Sequence, residues 1–281
     1  MTMKTFKLAL LAAAIAAPGP AIARDDLGNC TDPLMPYIDG AGINKPNRHL
    51  FALVDQTVQF DDKLKKEFLK KVLAYVTRGD QVTAVSFSAF VNTHYTEVVF
   101  NGTLDRPLPD AALKDVPIKE AKTFNRCLTA QWTKGRKLMA QRLAGAITST
   151  DNDYDFSNTE LIGTLNTLAK DLIGKAETTE RTLLIFSDML ENSRTTTFFS
   201  KGQIRQLDPD AELAKVRKAG MIPDLSGVRI YVIGAGWLQD GSLYQDAGRL
   251  GALRTFWEKF FAAAGATLEG FGEPMLLADM K

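Results

Sequence analysis

Only nine residues, Ser88 to Thr96, lie between two strand-like runs, Val82 to Phe87 and Glu97 to Phe100. The gap carries no helical pattern. A parallel crossover needs about a dozen residues or more, usually a helix. The second run must therefore return antiparallel to the first, at a sheet edge. No other spacing in the chain restricts its topology as much.

The remaining runs alternate with helical patterns. Leu50 to Val54 is apolar throughout, as a strand covered on both faces should be. Residues 61–77 follow, with Leu64, Phe68, Val72 and Tyr75 at helical spacing and Asp61 and Asp62 where they favour the helix dipole. Arg78-Gly79-Asp80 reads as the turn into the next strand. Beyond the Pro-rich stretch from Asn101, a long helix is expected over 118–148, a polar turn over 151–158 and a helix from near Thr159. ERTLLIFSD supplies a fourth strand ending at Asp188. A long loop, a short helix over 209–219 and a fifth strand from Val228 to Ile233 come next, then a helix over 247–264 and a sixth strand in ATLEGF. Strands and helices in alternation predict an α/β three-layer, doubly wound domain with a mainly parallel six-stranded sheet and an antiparallel third edge strand.

The first 23 residues stand apart. Lys4 and Lys7 precede an apolar run from Leu8 to Ala17, and Ala21-Ile22-Ala23 has the small-x-small form of a cleavage site. This pattern predicts an export signal over 1–23, too short in its apolar part for the ~20 residues of a spanning helix. An extended segment over 24–47 and one domain over 48–281 follow. The mature chain is expected to be periplasmic or secreted, with no membrane insertion after signal cleavage.

Without Lys4 and Lys7 the chain holds 32 basic and 33 acidic residues, from 34 and 33 in the whole sequence. That balance argues against a general nucleic-acid or anionic-membrane binder and directs recognition to local surface. The basic run KGRKLMAQR from Lys134 reads as the wet face of the long helix. The two cysteines, Cys30 and Cys127, are expected to pair in an exported chain, closing a loop of nearly a hundred residues. With two cysteines and two isolated histidines, His49 and His94, no thiolate or imidazole zinc cluster can be assembled.

Ligands of an open parallel sheet bind beyond the carboxyl ends of its strands. Asp55 with Thr57 beyond it, Thr159 at a helix start and Asp188 converge there. Two carboxylates and two hydroxyls form an all-oxygen set, suited to a hard ion such as Mg²⁺ or Mn²⁺. These residues resemble the metal-ion-dependent adhesion site of von Willebrand factor type A domains: Asp55-Gln56-Thr57 in DQTVQ, Thr159 in NTELIGTLNTLAKDL and Asp188 in LLIFSDML. The resemblance spans roughly residues 48–272. It implies a mainly parallel six-stranded sheet with an antiparallel third edge strand. It also implies an ion touched by Thr57 and Thr159, with Asp55 and Asp188 close by or acting through water, completed by an acidic group of a partner protein.

The sequence departs from that pattern at Gln59, which stands where a second serine belongs, and at Met189 and Leu190 in place of small residues. The competing reading has no ion: Asp55 takes backbone N–H bonds in its turn, and Thr159 or Ser157 caps a helix. A haloacid-dehalogenase-like phosphatase would need a second aspartate where Thr57 stands, and no other hydrolase or nucleotide fingerprint is present. Phe198, Phe199 and Trp237 are expected near the same face as partner-binding anchors or as loop cores. Taken together, these features predict an exported, non-enzymatic adhesion or assembly module, with a metal-free scaffold as the alternative.

Overall fold

In the computed structural model, the described residues are 25, 27–38, 45–90, 93–148, 159–200, 203–238 and 246–281. The expected export signal and the turn at 151–158 lie outside them. No helix among the described residues is long and apolar enough to cross a membrane.

Among the described residues there are eight strands: β1 (His49–Asp55), β2 (Gln81–Phe90), β3 (Thr93–Thr103), β4 (Arg181–Phe186), β5 (Phe199–Ser200), β6 (Gln203–Ile204), β7 (Val228–Ile233) and β8 (Thr267–Phe271). Five helices accompany them: α1 (Asp62–Tyr75), α2 (Ile118–Thr148), α3 (Leu161–Asp171), α4 (Pro209–Lys218) and α5 (Ala247–Ala263). Six strands form one sheet in the order β3-β2-β1-β4-β7-β8. All its pairs are parallel except β2 with β3, the edge strand whose direction the short spacing dictates. This is the sheet implied by the likeness to von Willebrand factor A domains. β2 and β3 run longer than their apolar centres, so the connection between them shrinks to residues 91–92.

The all-apolar centre of β1, Leu50 to Val54, is explained by its two covers. Leu50, Ala52 and Val54 join Leu64, Phe68 and Val72 of α1 and Met139 and Leu143 of α2 in one core. Phe51 and Leu53 point the other way, into a core with Leu161 and Leu165 of α3, Leu213 of α4, and Phe256 and Trp257 of α5. Side chains alternate across a strand with period two, so a strand walled on both faces favours apolar residues between its ends, and the polar His49 and Asp55 stand at the ends.

A third, small cluster seats the N-terminal segment. Cys30, Leu34, Phe124 and Leu128 are buried together, and Cys30 is disulfide-bonded to Cys127 with Cα atoms 5.5 Å apart. The Cys30 N–H donates to Asp105 Oδ2 at 2.7 Å, and Gln131 Nε2 donates to the Gly28 carbonyl at 2.8 Å.

Candidate functional site

β1 and β4 are adjacent and parallel, so the residues just past their ends meet. Asp55 closes β1 and is 2% exposed. Its Oδ1 accepts from the Thr57 N–H at 2.9 Å and from the Thr57 hydroxyl at 2.6 Å. Its Oδ2 accepts from the Ser187 hydroxyl at 2.7 Å. Both carboxylate oxygens are thus engaged inside the protein. Thr57 spends its only proton on Asp55 and turns its lone pairs elsewhere; its Oγ1 lies 3.1 Å from Thr159 Oγ1. The two hydroxyls, 102 residues apart in sequence, meet because the loops carrying them share one end of the sheet.

Asp188 follows β4 by two residues. Its Oδ1 accepts from the Leu190 N–H at 2.9 Å, and its carbonyl takes the Gly236 N–H at 2.9 Å. The intervening backbone is twisted: Met189 has φ +63°, a conformation uncommon for a side-chain-bearing residue. It is held from three sides. The Met189 N–H donates to Ser187 Oγ at 3.0 Å, its carbonyl accepts from Trp257 Nε1 at 2.9 Å, and its side chain is fully buried.

Thr57, Thr159 and Asp188 line a cleft with about 30 Å³ of space for water, walled by Val58, Leu190, Asn192, Phe199 and Leu238. That exceeds the ~10–15 Å³ one water needs. Burial raises the pKa of Asp55, opposed by the hydrogen bonds from Thr57 and Ser187. Asp188 is pushed well above the usual carboxylate range, chiefly by burial and then by the neighbouring charge of Asp55. Two buried carboxyl groups that feel each other's charge favour a proton or a cation nearby. The donors facing the cleft are oxygens, and no group of three or more His, Cys, Asp or Glu side chains able to hold a metal ion occurs among the described residues. Such oxygen donors would suit a small hard ion that keeps much of its own water better than one that prefers thiolate or imidazole ligands.

Several expectations need revision at this scale. Thr159 does not cap the helix after it. The α3 N-cap is Glu160, without a side-chain capping bond, while Thr159 exchanges backbone hydrogen bonds with Asn192 at 3.1 and 2.8 Å. Ser157 lies outside the described residues. Gln59 is exposed and does not line the cleft; its carbonyl accepts from Trp237 Nε1 at 3.0 Å. Phe198 is no rim anchor. It is fully buried, edge-on against Phe256 with centroids 4.7 Å apart. Trp237 is 8% exposed and packs beside Phe60. In both cases apolar area is better hidden within the loop layer than left at a mouth. Phe199, half-buried, alone of the three lines the cleft.

Two participants are absent from the sequence reading. Ser187 clamps Asp55, and its place directly before Asp188 was the available signal. Glu191, fully buried, accepts the Ile162 N–H at 2.9 Å and so serves the open start of α3 from a distant loop. Burial drives its carboxyl up to about 7, against the pull of Ser193 and of the Ile162 N–H.

Sheet order and layers define a three-layer α/β fold of the von Willebrand factor A-like kind, with a cleft lined in part by Thr57, Thr159 and Asp188 at the strand ends. No family profile matches the sequence, and no curated protein matches it significantly. Among solved structures, an aerotolerance-related membrane protein from Bacteroides fragilis, carrying multiple mutations to serine, is similar at 11% identity over 81% of this chain and 93% of that one, TM-score 0.31. The N-terminal domain of TFIIH p34 is similar at 15% identity over 76% and 98%, TM-score 0.26. Overlaps this loose leave the fold to be read from the sheet order and the function from the site.

Proposed function

We propose that this chain is an exported, non-enzymatic binding module that holds a divalent ion in the strand-end cleft and uses it to grip an acidic group of another protein. The observation that carries this reading is the meeting of Thr57 Oγ1 and Thr159 Oγ1 at 3.1 Å, beside a carboxylate, at the floor of an open cleft. Thr57 and Thr159 offer lone pairs directly. Asp55 orients the Thr57 hydroxyl by taking its proton, and with Asp188 it supplies the negative charge, acting on the ion through water. Mg²⁺ or Mn²⁺ suits these donors, and the partner's carboxylate completes its coordination. Phe199 at the cleft wall meets the apolar surround of that carboxylate. The basic, then apolar, then small-residue start of the chain supports export to a periplasmic or extracellular compartment, and the Cys30–Cys127 bond fits an oxidising one.

A second reading, a scaffold without metal, draws on the same contacts. The two hydroxyls satisfy each other, and a proton held by the buried Asp188 would stand in for the cation. Calorimetric titration of the full chain with Mg²⁺ and Mn²⁺ separates the two. The ion-assisted reading expects saturable binding at or below millimolar metal. It expects this binding to vanish in Asp55→Ala/Asp188→Ala and to weaken at least tenfold in Thr159→Val, which keeps the side-chain shape. Absence of binding at millimolar metal in the folded native chain leaves the scaffold.

A further inference from the structure

We propose that the outward face of α1 and α2 docks the protein on an anionic lipid surface. The two helices together hold twelve Lys and Arg against three Asp and Glu, which leaves 22 basic and 30 acidic residues for the rest of the chain. A whole-chain balance near zero therefore conceals a strongly positive layer on one side of the sheet.

The positions are ordered. The buried stripe of α1 runs through Leu64, Phe68, Val72 and Tyr75. Lys63, Lys66 and Lys70, three and four residues apart, sit on the opposite side and are exposed. On α2 the stripe runs through Phe124, Leu128, Gly135 and Met139, and Lys122, Arg126 and Lys137 are exposed on the other side. The helices lie side by side and antiparallel. Arg136 Nη1 donates to the Leu73 carbonyl at 2.6 Å near the end of α1, while Gln56, just before α1, donates to the Ala146 carbonyl at 2.9 Å near the end of α2. Of the helices' own acids, Glu67 faces the buried Lys71 at 3.9 Å, leaving Asp62 and Glu120; the flanking segments add the exposed Asp61 and Asp279, the latter paired with Lys71 at 3.1 Å.

Three features favour lipid headgroups over an acidic protein. Five of the six named cations are lysines, mobile point charges suited to a fluid array of anions; fixed carboxylate pairs are better met by the arginine fork. The surface is long, since the 31 residues of α2 extend about 46 Å. It also carries apolar groups of the kind that enter the headgroup zone. Ile118 is 76% exposed at the start of α2. The ring of Trp132 is half-buried between the guanidinium groups of Arg136 and Arg78, 4.8 and 5.9 Å from its centroid. Each lysine or arginine near an anionic bilayer strengthens attachment by about fivefold.

The test is co-sedimentation of the full chain with vesicles of phosphatidylcholine alone and with about one third phosphatidylglycerol, each at 0.05 M and 1 M salt. Lys4 and Lys7 are common to the native chain and the variants, so the readout is the loss of anionic preference from native chain to variant, in which any attachment through residues 1–23 is the same. Preference for the anionic vesicles is expected at low salt and should be abolished at 1 M, where the Debye length falls to about 3 Å. Lys63→Glu/Lys66→Glu/Lys70→Glu should weaken anionic binding by at least about 100-fold, and Lys122→Glu/Arg126→Glu/Lys137→Glu should do likewise. Unchanged thermal melts would show both variants folded. Equal binding to both vesicle kinds, or a preference that survives either folded variant, overturns the proposal. So does preferential capture by soluble polyglutamate, which would assign the face to an acidic protein.

Discussion

Glu191 shows how much a single side chain in this loop layer can govern. Its carboxyl is raised from the ordinary 4.5 to about 7 by burial, while it accepts a hydrogen bond at the open end of α3. Between those two pH values the folded chain holds a proton that the unfolded chain has released. Stability from this group is therefore present below about 4.5 and lost as pH rises through about 7, by on the order of 3 kcal/mol. Glu191→Gln keeps an oxygen for the Ile162 N–H and removes the titration. Urea denaturation at steps from pH 4.5 to 8 should show native stability falling over that window more steeply than in the variant. Parallel slopes in the two proteins would mean that Glu191 does not titrate there. Nothing near Glu191 in sequence announces its task, because Leu161 and Ile162 are reached only across a loop. Thr57 is different: a hydroxyl two residues past a strand-end aspartate is readable from spacing, since the turn returns that hydroxyl to the carboxylate before it.

At the scale of elements, the N-terminal segment is the test case. Its described part adds no strand to the six-stranded sheet, touching the β3 edge where the Asp25 N–H donates to the Asn101 carbonyl at 2.7 Å, and holds one short helical turn, Asp32–Leu34. It is seated by Leu34 against Phe124 and Leu128, by two polar contacts to Asp105 and Gln131, and by the Cys30–Cys127 bond, which spans 97 residues. Replacing both cysteines by serine should cost about 2–5 kcal/mol, the range for a long loop freed in the unfolded state. Hydrogen exchange should then locate the new openness in residues 27–38 and the first turns of α2, with β1 and β4 unaffected. Uniform loss of protection would place the segment within the main cooperative unit. The helices themselves were legible because each carries an apolar stripe. α3 was placed two residues early because a threonine and a serine nearby looked like caps, whereas the actual anchor is the remote Glu191. The hairpin of β5 and β6 escaped notice because two-residue strands have no periodicity to detect.

At the scale of the whole molecule, the domain presents two unrelated surfaces. The cleft opens where the carboxyl ends of β1 and β4 meet, and the cationic layer lies on one flank of the sheet. Surface charges at this range interact weakly through water, so the two should behave additively. Lys63→Glu/Lys66→Glu/Lys70→Glu should leave the Mg²⁺ affinity of the full chain within about threefold of native by calorimetry at 0.15 M salt. A larger change would reveal coupling through α1, whose first turn follows the Asp55–Gln59 loop.

The order of layers and the antiparallel edge strand were decided along the chain, because connection length and hydrophobic period are local quantities that a sheet must obey. The candidate ion residues were legible for the same reason, each sitting at the end of a recognisable strand or near a helix start. Only the folded arrangement decided the rest. It directed Gln59 away from the cleft, buried Phe198 and Trp237, set Ser187 on Asp55 and Glu191 at the start of α3, and assembled scattered lysines into one face. Those outcomes depend on which loops share an end of the sheet and which helices share a side, and such neighbours are set by packing between segments 29 to 178 residues apart in sequence.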